Sequence, residues 1–383
     1  MTETSPQTRS TPPASAPGAP GPSGPTEAPP EAPAGGAAGG PAGTPSPSGL
    51  PAGAPGAPGS SGEILPDASG APPETVPLTA EHLLTNRRSE PSGGWRRLVW
   101  LLSGRRFIPA ESAAELERRT LIAQAQTPVA RGHHRIAVMS LKGGVGKTTT
   151  TAALGNTLAS LRGDRVIAID ANPDRGTLGL KVKSETAATI RTFLAEAPHI
   201  VRYADARAFT SQSPARLEIL ASDTDPAVSE AFDAEDYRTV AGLIERYYSI
   251  CITDCGTGLL HGAMGATLEL ADQIVLVSLV AVDGANSAAA TLDWLNAHGH
   301  AHLARNAIVV LNAVEPKTDV DLDLLERHFA SRCRAVIRIP YDPHLKEGAE
   351  VDLARLRPTT RGAYLRLAAA AGQAFNQHPG RSH

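Results

Sequence analysis

The sequence predicts an α/β fold built on a doubly wound, mostly parallel sheet. Three observations point there. From about residue 135, short apolar runs rich in Val and Ile alternate with Ala/Leu-rich stretches of helical period. A glycine-rich turn, "LKGGVGKTTTT" at 141–151, joins the first such run to the first such stretch. Finally, Asp170, Asp254 and Asn312 each close an apolar run. In a parallel sheet that gathers them at one edge, beyond the carboxyl ends of the strands, where such sheets bind ligands.

The elements follow in order. "RIAVMSL" (135–141) predicts the first strand and 148–161 the helix after the glycine turn. "DRVIAID" is a strand ending at Asp170, "TAATIRTFLAEA" a helix and "RLEILAS" a strand. Residues 235–248 predict a helix, and "SICITD" a strand ending at Asp254. Residues 259–270 are helical, "QIVLVSLV" is a strand and 285–297 a helix. "NAIVVLN" is a strand ending at Asn312, 319–330 a helix, "AVIRIP" a strand ending at Pro340, and 360–375 a closing helix. That makes about seven strands, with residues 134–376 as the folded domain.

The 383 residues divide sharply by composition. Residues 1–75 are mostly Pro, Ala, Gly and Ser, too poor in large apolar side chains to offset the entropy of ordering them. They predict a disordered, partly polyproline-like tail; residues 377–383 are a short polar tail. Within 76–133, Trp95, Leu98, Val99 and Leu102 have amphipathic spacing, bracketed by Arg96, Arg97, Arg105 and Arg106. Pro109 ends that segment, and 111–126 predicts a second, polar helix. A basic amphipathic segment with tryptophans lies on an anionic membrane surface, packs in a partner's groove, or folds back on its own domain.

Charge and cysteine content narrow the classes. A net charge of −3, with neither half strongly basic, gives no support to nucleic-acid binding. Three cysteines, Cys251, Cys255 and Cys333, argue against a disulfide framework and for a reducing compartment. Cys251 and Cys255 read as small core residues rather than a metal pair. There is no apolar run of about 18 residues and no cationic start followed by an apolar stretch. The expected location is the cytoplasm, peripheral at the inner face of the plasma membrane if residues 95–107 bind lipid. His298, His300 and His302 alternate along a polar loop, but no acidic or cysteine ligand accompanies them.

Strand, glycine turn, Lys-Thr, helix is the context of a phosphate-binding loop. Gly143, Gly144, Val145 and Gly146 turn backbone N–H groups toward phosphates, and Lys147 sets a charge on them. Thr148 offers a hydroxyl to Mg²⁺, and Thr149, next in the first helical turn, is expected among the nucleotide-binding residues. The common G-x-x-x-x-G-K-[ST] pattern fails, because position 141 is Leu. What stands is K-G-G-x-G-K-T-T, with a second lysine, Lys142, that one nucleotide does not require.

This loop resembles the deviant Walker A motif of the MinD/ParA family of ATPases, and the resemblance covers about residues 134–376. It implies a P-loop NTPase fold, ATP and Mg²⁺ as cofactors, and an ATP-bound homodimer in which Lys142 reaches the partner's nucleotide. The plainer reading of Lys142 is a solvated loop lysine. "RVIAIDANPDRGTLG" looks like the family's first switch, with Asp170 sensing Mg²⁺ through water. "SICITDCGTG" resembles its Walker B strand, so Asp254 would support the metal's water shell. "IVVLNAV" implies that Asn312 reads adenine, and "IRIPYDP" that Pro340 and Asp342 support the base. One departure matters: where the family usually has an Asp that positions the attacking water, this chain has Asn172, with Asp174 two residues on. Tail, basic Trp segment and ATPase together look most like actinobacterial MinD-like proteins associated with type VII secretion.

The expected function is an ATP-dependent dimerisation switch that positions or partitions a cargo, be it chromosome, division site or secretion apparatus. A protein partner would stimulate hydrolysis. The alternatives are a nucleotide-gated scaffold that hardly hydrolyses ATP, and a kinase- or ligase-type enzyme of the same superfamily, as in dethiobiotin synthetase.

Overall fold

The computed structural model describes residue 102 and residues 112–172, 176–223, 232–258, 262–315 and 317–376. The proline-rich tail, nearly all of the 95–107 segment and Asp174 lie outside the described residues.

Helix α1 (Ala113–Ala125) comes first, its N-terminus capped by the Ser112 hydroxyl, which accepts from Glu115 N at 3.2 Å. Strand β1 (His134–Met139) leads through the glycine turn into α2 (Lys147–Leu161) and β2 (Val166–Ala171). Then come α3 (Ile190–Ala195), α4 (Tyr203–Arg207), β3 (Ser211–Gln212), β4 (Glu218–Leu220), α5 (Ala234–Ile244) and β5 (Ile250–Cys255). The second half runs α6 (Gly262–Leu270), β6 (Gln273–Leu279), α7 (Val282–Ala297), α8 (Ala301–Asn306), β7 (Ile308–Val314), α9 (Leu322–Ala330), β8 (Ala335–Pro340), α10 (Pro343–Lys346) and α11 (Pro358–Gly372).

The strands form one sheet in the order β3-β4-β2-β5-β1-β6-β7-β8. Every pairing is parallel except β3 with β4. Strand β1 sits centrally between β5 and β6, where successive crossovers change direction. Alternation along the strands builds both layers. Ile136 and Val138 enter the core beneath α2 and α11; Ala137 and Met139 enter the opposite core with Leu292 of α7 and Phe329 of α9. A third cluster packs Phe193 and Tyr237 against the β2–β5 side. Burial on both faces explains why the strands read as continuous apolar runs.

Several predicted elements change length. The predicted helix 186–197 shrinks to α3, because Thr189 N donates to Thr192 Oγ1 at 2.8 Å and sets the helix start there. "RLEILAS" yields only the three residues of β4 that pair with β2. Helix α7 begins three residues before the predicted 285. Two-residue β3 and the short α4, α8 and α10 carry too little periodicity to be read. His298 stacks on Trp294 with ring centroids 4.1 Å apart, and His300 lies 6.4 Å from the same ring. Cys251, Cys255 and Cys333 are buried free thiols. Among the described residues no helix is long and apolar enough to cross a membrane.

Helix α1 is fastened to the domain at two points. A Cβ placed on Gly372 would stand 2.0 Å from Gln124 O, so α11 and α1 meet backbone to backbone there. The Arg162 guanidinium donates to Ala125 O at 2.8 Å and Thr127 O at 2.7 Å, satisfying carbonyls at the end of α1.

Candidate functional site

After β1 the chain turns through residues 140–146 and enters α2 at Lys147. Gly146, the N-cap of α2, has φ 92 and ψ 27, a left-handed conformation that glycine adopts at least cost. Its Cα lies so near Asn312 that an added Cβ would stand 2.3 Å from Asn312 Nδ2. No side chain caps α2, which leaves its first N–H groups and the positive end of its dipole for an anion. Lys147 opens the helix, largely buried.

The parallel register of β2 and β5 sets Asp170 opposite Asp254, and each is 1% exposed. Thr148 Oγ1 donates to Asp254 Oδ2 at 2.6 Å, and Thr151 Oγ1 donates to Oδ1 at 3.3 Å. Asp170 accepts from Asn172 N at 3.2 Å and Leu178 N at 2.9 Å. Both carboxyls are pushed above the usual carboxylate range. Burial is the main cause in each; for Asp254 the neighbouring Asp170 charge adds to it, opposed by the Thr148 hydroxyl and the Lys147 ammonium. A cation beside this pair relieves the repulsion. The donors, one hydroxyl and two carboxyls, are hard oxygens that suit Mg²⁺.

Beside the glycine turn lies a cleft of about 360 Å³ whose walls include Gly144, Thr149, Asn312, Pro340, Tyr341 and Asp342. Asn312 Nδ2 donates to Val145 O at 2.7 Å, so the side chain expected at the base also holds the glycine turn. Both Asp342 oxygens are engaged: Oδ1 accepts from His344 N at 3.1 Å as the cap of α10, and Oδ2 from Arg357 N at 2.9 Å. Its part is to hold the backbone that walls the cleft.

The structure thus gathers Lys147, Thr148, Asp170, Asn172 and Asp254 at one sheet edge, with Asn312, Pro340 and Asp342 in the adjoining wall. Lys142 stands apart, on the outer rim. Its ammonium pairs with the Asp283 carboxylate in the first turn of α7, and both side chains are exposed. Sequence reasoning did not name Asp283 or Thr151. Thr151 follows Thr148 by three, on the same helix face, so spacing offered a signal for it. Asp283 lies 141 residues from Lys142 and offered none.

The model of the CobQ/CobB/MinD/ParA nucleotide binding domain matches residues 136–353. The chain belongs to this family. Among curated relatives, ESX-1 secretion-associated protein EspI of Mycobacterium tuberculosis (strain ATCC 25618 / H37Rv) is 38% identical over 250 residues. The same protein of strain CDC 1551 / Oshkosh matches equally. The alignment covers 64% of this chain but 37% of EspI, so the chain spans little more than a third of the relatives it matches. A ParA family ATPase from Chlorobium tepidum TLS superposes with a TM-score of 0.53 at 16% identity, covering 62% of this chain and 98% of that one. The cell division ATPase MinD of Pyrococcus furiosus gives 0.50 at 23%, with the same coverage. Such identities show the fold alone. Within the MinD/ParA fold, the glycine turn, Asp170 and Asp254 all fall inside the matched residues. Helices α1 and α11 fall outside them.

Proposed function

We propose that residues 134–376 form an ATP-driven switch: the chain binds ATP with Mg²⁺, pairs with a second copy, engages its partner, hydrolyses the nucleotide and releases. The observation that carries this reading is the convergence of Lys147, Thr148, Asp170 and Asp254 at the end of β1, with Lys142 on the outer rim of the same loop. Lys147 and the α2 N-terminus receive the phosphates, and Thr148, Asp170 and Asp254 are the residues that would hold Mg²⁺, which would supply charge neutralisation to the phosphates. Asn312, Pro340 and Asp342 shape the base cleft. On dimerisation Lys142 exchanges Asp283 for the partner's nucleotide. An exposed ion pair is a weak restraint, so that exchange is easily made.

Asn172 supports the second reading, a nucleotide-gated scaffold with little turnover. An amide cannot act as a base toward the attacking water, so basal hydrolysis is slow and a partner completes it. The relationship to EspI, named as ESX-1 secretion-associated, supports cargo in type VII secretion over chromosome partitioning. In this reading residues 95–107 supply attachment to a lipid surface or a partner.

Light scattering after size exclusion, with a non-hydrolysable ATP analogue, tests the switch. The parent chain dimerises. Lys147→Ala loses nucleotide binding, while Lys142→Ala still binds nucleotide but stays monomeric. A Lys142→Ala chain that dimerises with the analogue refutes the assignment of Lys142. Steady-state phosphate release separates switch from scaffold, and dependence on a small acceptor molecule would instead reveal a kinase- or ligase-type enzyme.

A further inference from the structure

We propose that the groove between α1, the far end of α2 and α11 is a docking site for an acidic amphipathic helix of a partner protein. The groove encloses about 600 Å³. Its floor includes the partly buried apolar side chains Leu121, Ile122 and Leu365. Its rim carries the exposed Arg118, Arg361 and Arg366. Among the described residues no carboxylate pairs with any of these three guanidinium groups. Elsewhere on the surface Arg238, Arg332, Arg338 and Arg355 each have one. Glu117 is the one acidic side chain in the lining, which leaves the rim with an excess of positive charge.

The shape selects the occupant. The lining runs along residues 114–122 of one wall and 358–366 of the other, about 12 Å at 1.5 Å per residue, the length of a two-turn helix. Such a helix sets residues at i, i+3, i+4 and i+7 on the apolar floor and flanking carboxylates on the rim, where guanidinium groups bind them in bidentate fashion. A bilayer is too flat to fill a concave groove. A phosphodiester backbone has no use for its leucines. The chain's own segment 94–108 carries Arg96, Arg97, Arg105 and Arg106, the same sign as the rim. Both long walls lie outside residues 136–353, the stretch that the family model matches. Lys147 and Leu161 end α2 about 20 Å apart, which leaves the nucleotide cleft open while the groove is filled.

The test uses the full chain and a labelled synthetic helix carrying Leu at i, i+3, i+4 and i+7 flanked by Glu, read by fluorescence anisotropy. Its Lys-for-Glu counterpart, a peptide of residues 94–108, and anionic phospholipid vesicles are the comparison ligands. The acidic helix should bind in the micromolar range, and the Lys counterpart at least about tenfold more weakly. Arg361→Glu with Arg366→Glu should weaken the acidic helix about tenfold or more while leaving the unfolding midpoint and nucleotide binding unchanged. Leu121→Gln provides a second variant aimed at the floor, with the same loss expected. Absent or charge-indifferent peptide binding overturns the proposal. So does an affinity unmoved by the arginine reversals, tighter binding of the 94–108 peptide, or vesicle binding that alone depends on these arginines.

Discussion

Gly146→Ala tests whether the glycine turn and the β7 end form one close-packed unit. Two costs can be worked out. At φ 92 an alanine is held in the left-handed region, which costs on the order of 1–3 kcal/mol. The new methyl would fall 2.3 Å from Asn312 Nδ2 and 3.5 Å from Asn312 Cγ, so the amide must swing away. That breaks its 2.7 Å bond to Val145 O, worth about 1 kcal/mol net. Together the loss is about 2–4 kcal/mol. In a domain of this size it lowers the unfolding midpoint by roughly 5–15 °C. Both numbers concern the nucleotide-free protein, which keeps phosphate contacts out of the measurement.

The decisive assay is a double-mutant cycle in denaturant. Asn312→Ala alone should cost about 1 kcal/mol, the lost bond to Val145. In Gly146→Ala/Asn312→Ala that bond is lost only once and the collision is gone. The double variant should therefore be no less stable than Gly146→Ala, and the two single losses should overshoot the double by about 1 kcal/mol. Single losses that add to within about 0.3–0.5 kcal/mol would mean the two residues share no space, and the reasoning fails.

Gly372→Ala should drive α1 off α11, because backbone at Gln124 cannot yield to a methyl 2.0 Å away; faster proteolytic cutting within 113–125 would show it, and unchanged cutting would refute it. Asp254→Asn should stabilise the nucleotide-free protein, more at pH 8 than at pH 5. The folded carboxyl is raised above its unfolded value, so its stabilising contribution is present at low pH and lost as pH rises through the folded pKa. Thermal melts at the two pH values check this, and an equal or inverted difference sinks it. Asn172→Asp should raise basal phosphate release about tenfold, below the usual range of about 10²–10⁴ because positioning dominates phosphoryl transfer. If release is unchanged while Asp174→Ala abolishes it, Asp174 positions the water.

The sheet and the phosphate loop were legible because their signals are local. A strand buried on both faces announces itself as an unbroken Val/Ile run, and the polar residue that ends the run marks the sheet edge. Asp170 and Asp254 could be placed at one sheet edge without coordinates for that reason alone; that β2 and β5 are neighbours, which sets the two side by side, needed the fold. Asp342 was legible as a residue of the cleft wall but not as the cap of α10, which depends on a four-residue helix with no period to read. The fastening of α1 was not legible at all. It needs Gly372 against Gln124 and Arg162 against Ala125, contacts that only the folded chain brings together.

The three residues by which α7 starts early have the largest consequence. "VDG" at 282–284 has poor helix propensity, with a β-branched residue, an Asp and a Gly, so the pattern is read as starting at Ala285. In the fold these residues form the first turn, where a carboxylate is stabilised by the helix dipole. That places Asp283 within reach of Lys142. The lysine picked out as surplus to one nucleotide therefore has a partner within its own chain, on an element whose start the local signal conceals. If dimerisation draws Lys142 to a second nucleotide, Asp283 is the group it leaves. Asp283→Ala should then lower the ATP-analogue concentration at which half the chains dimerise, without changing nucleotide affinity in the Lys142→Ala background. Light scattering across an analogue titration measures both, and an unshifted midpoint would show that the Asp283 pair does not oppose the exchange.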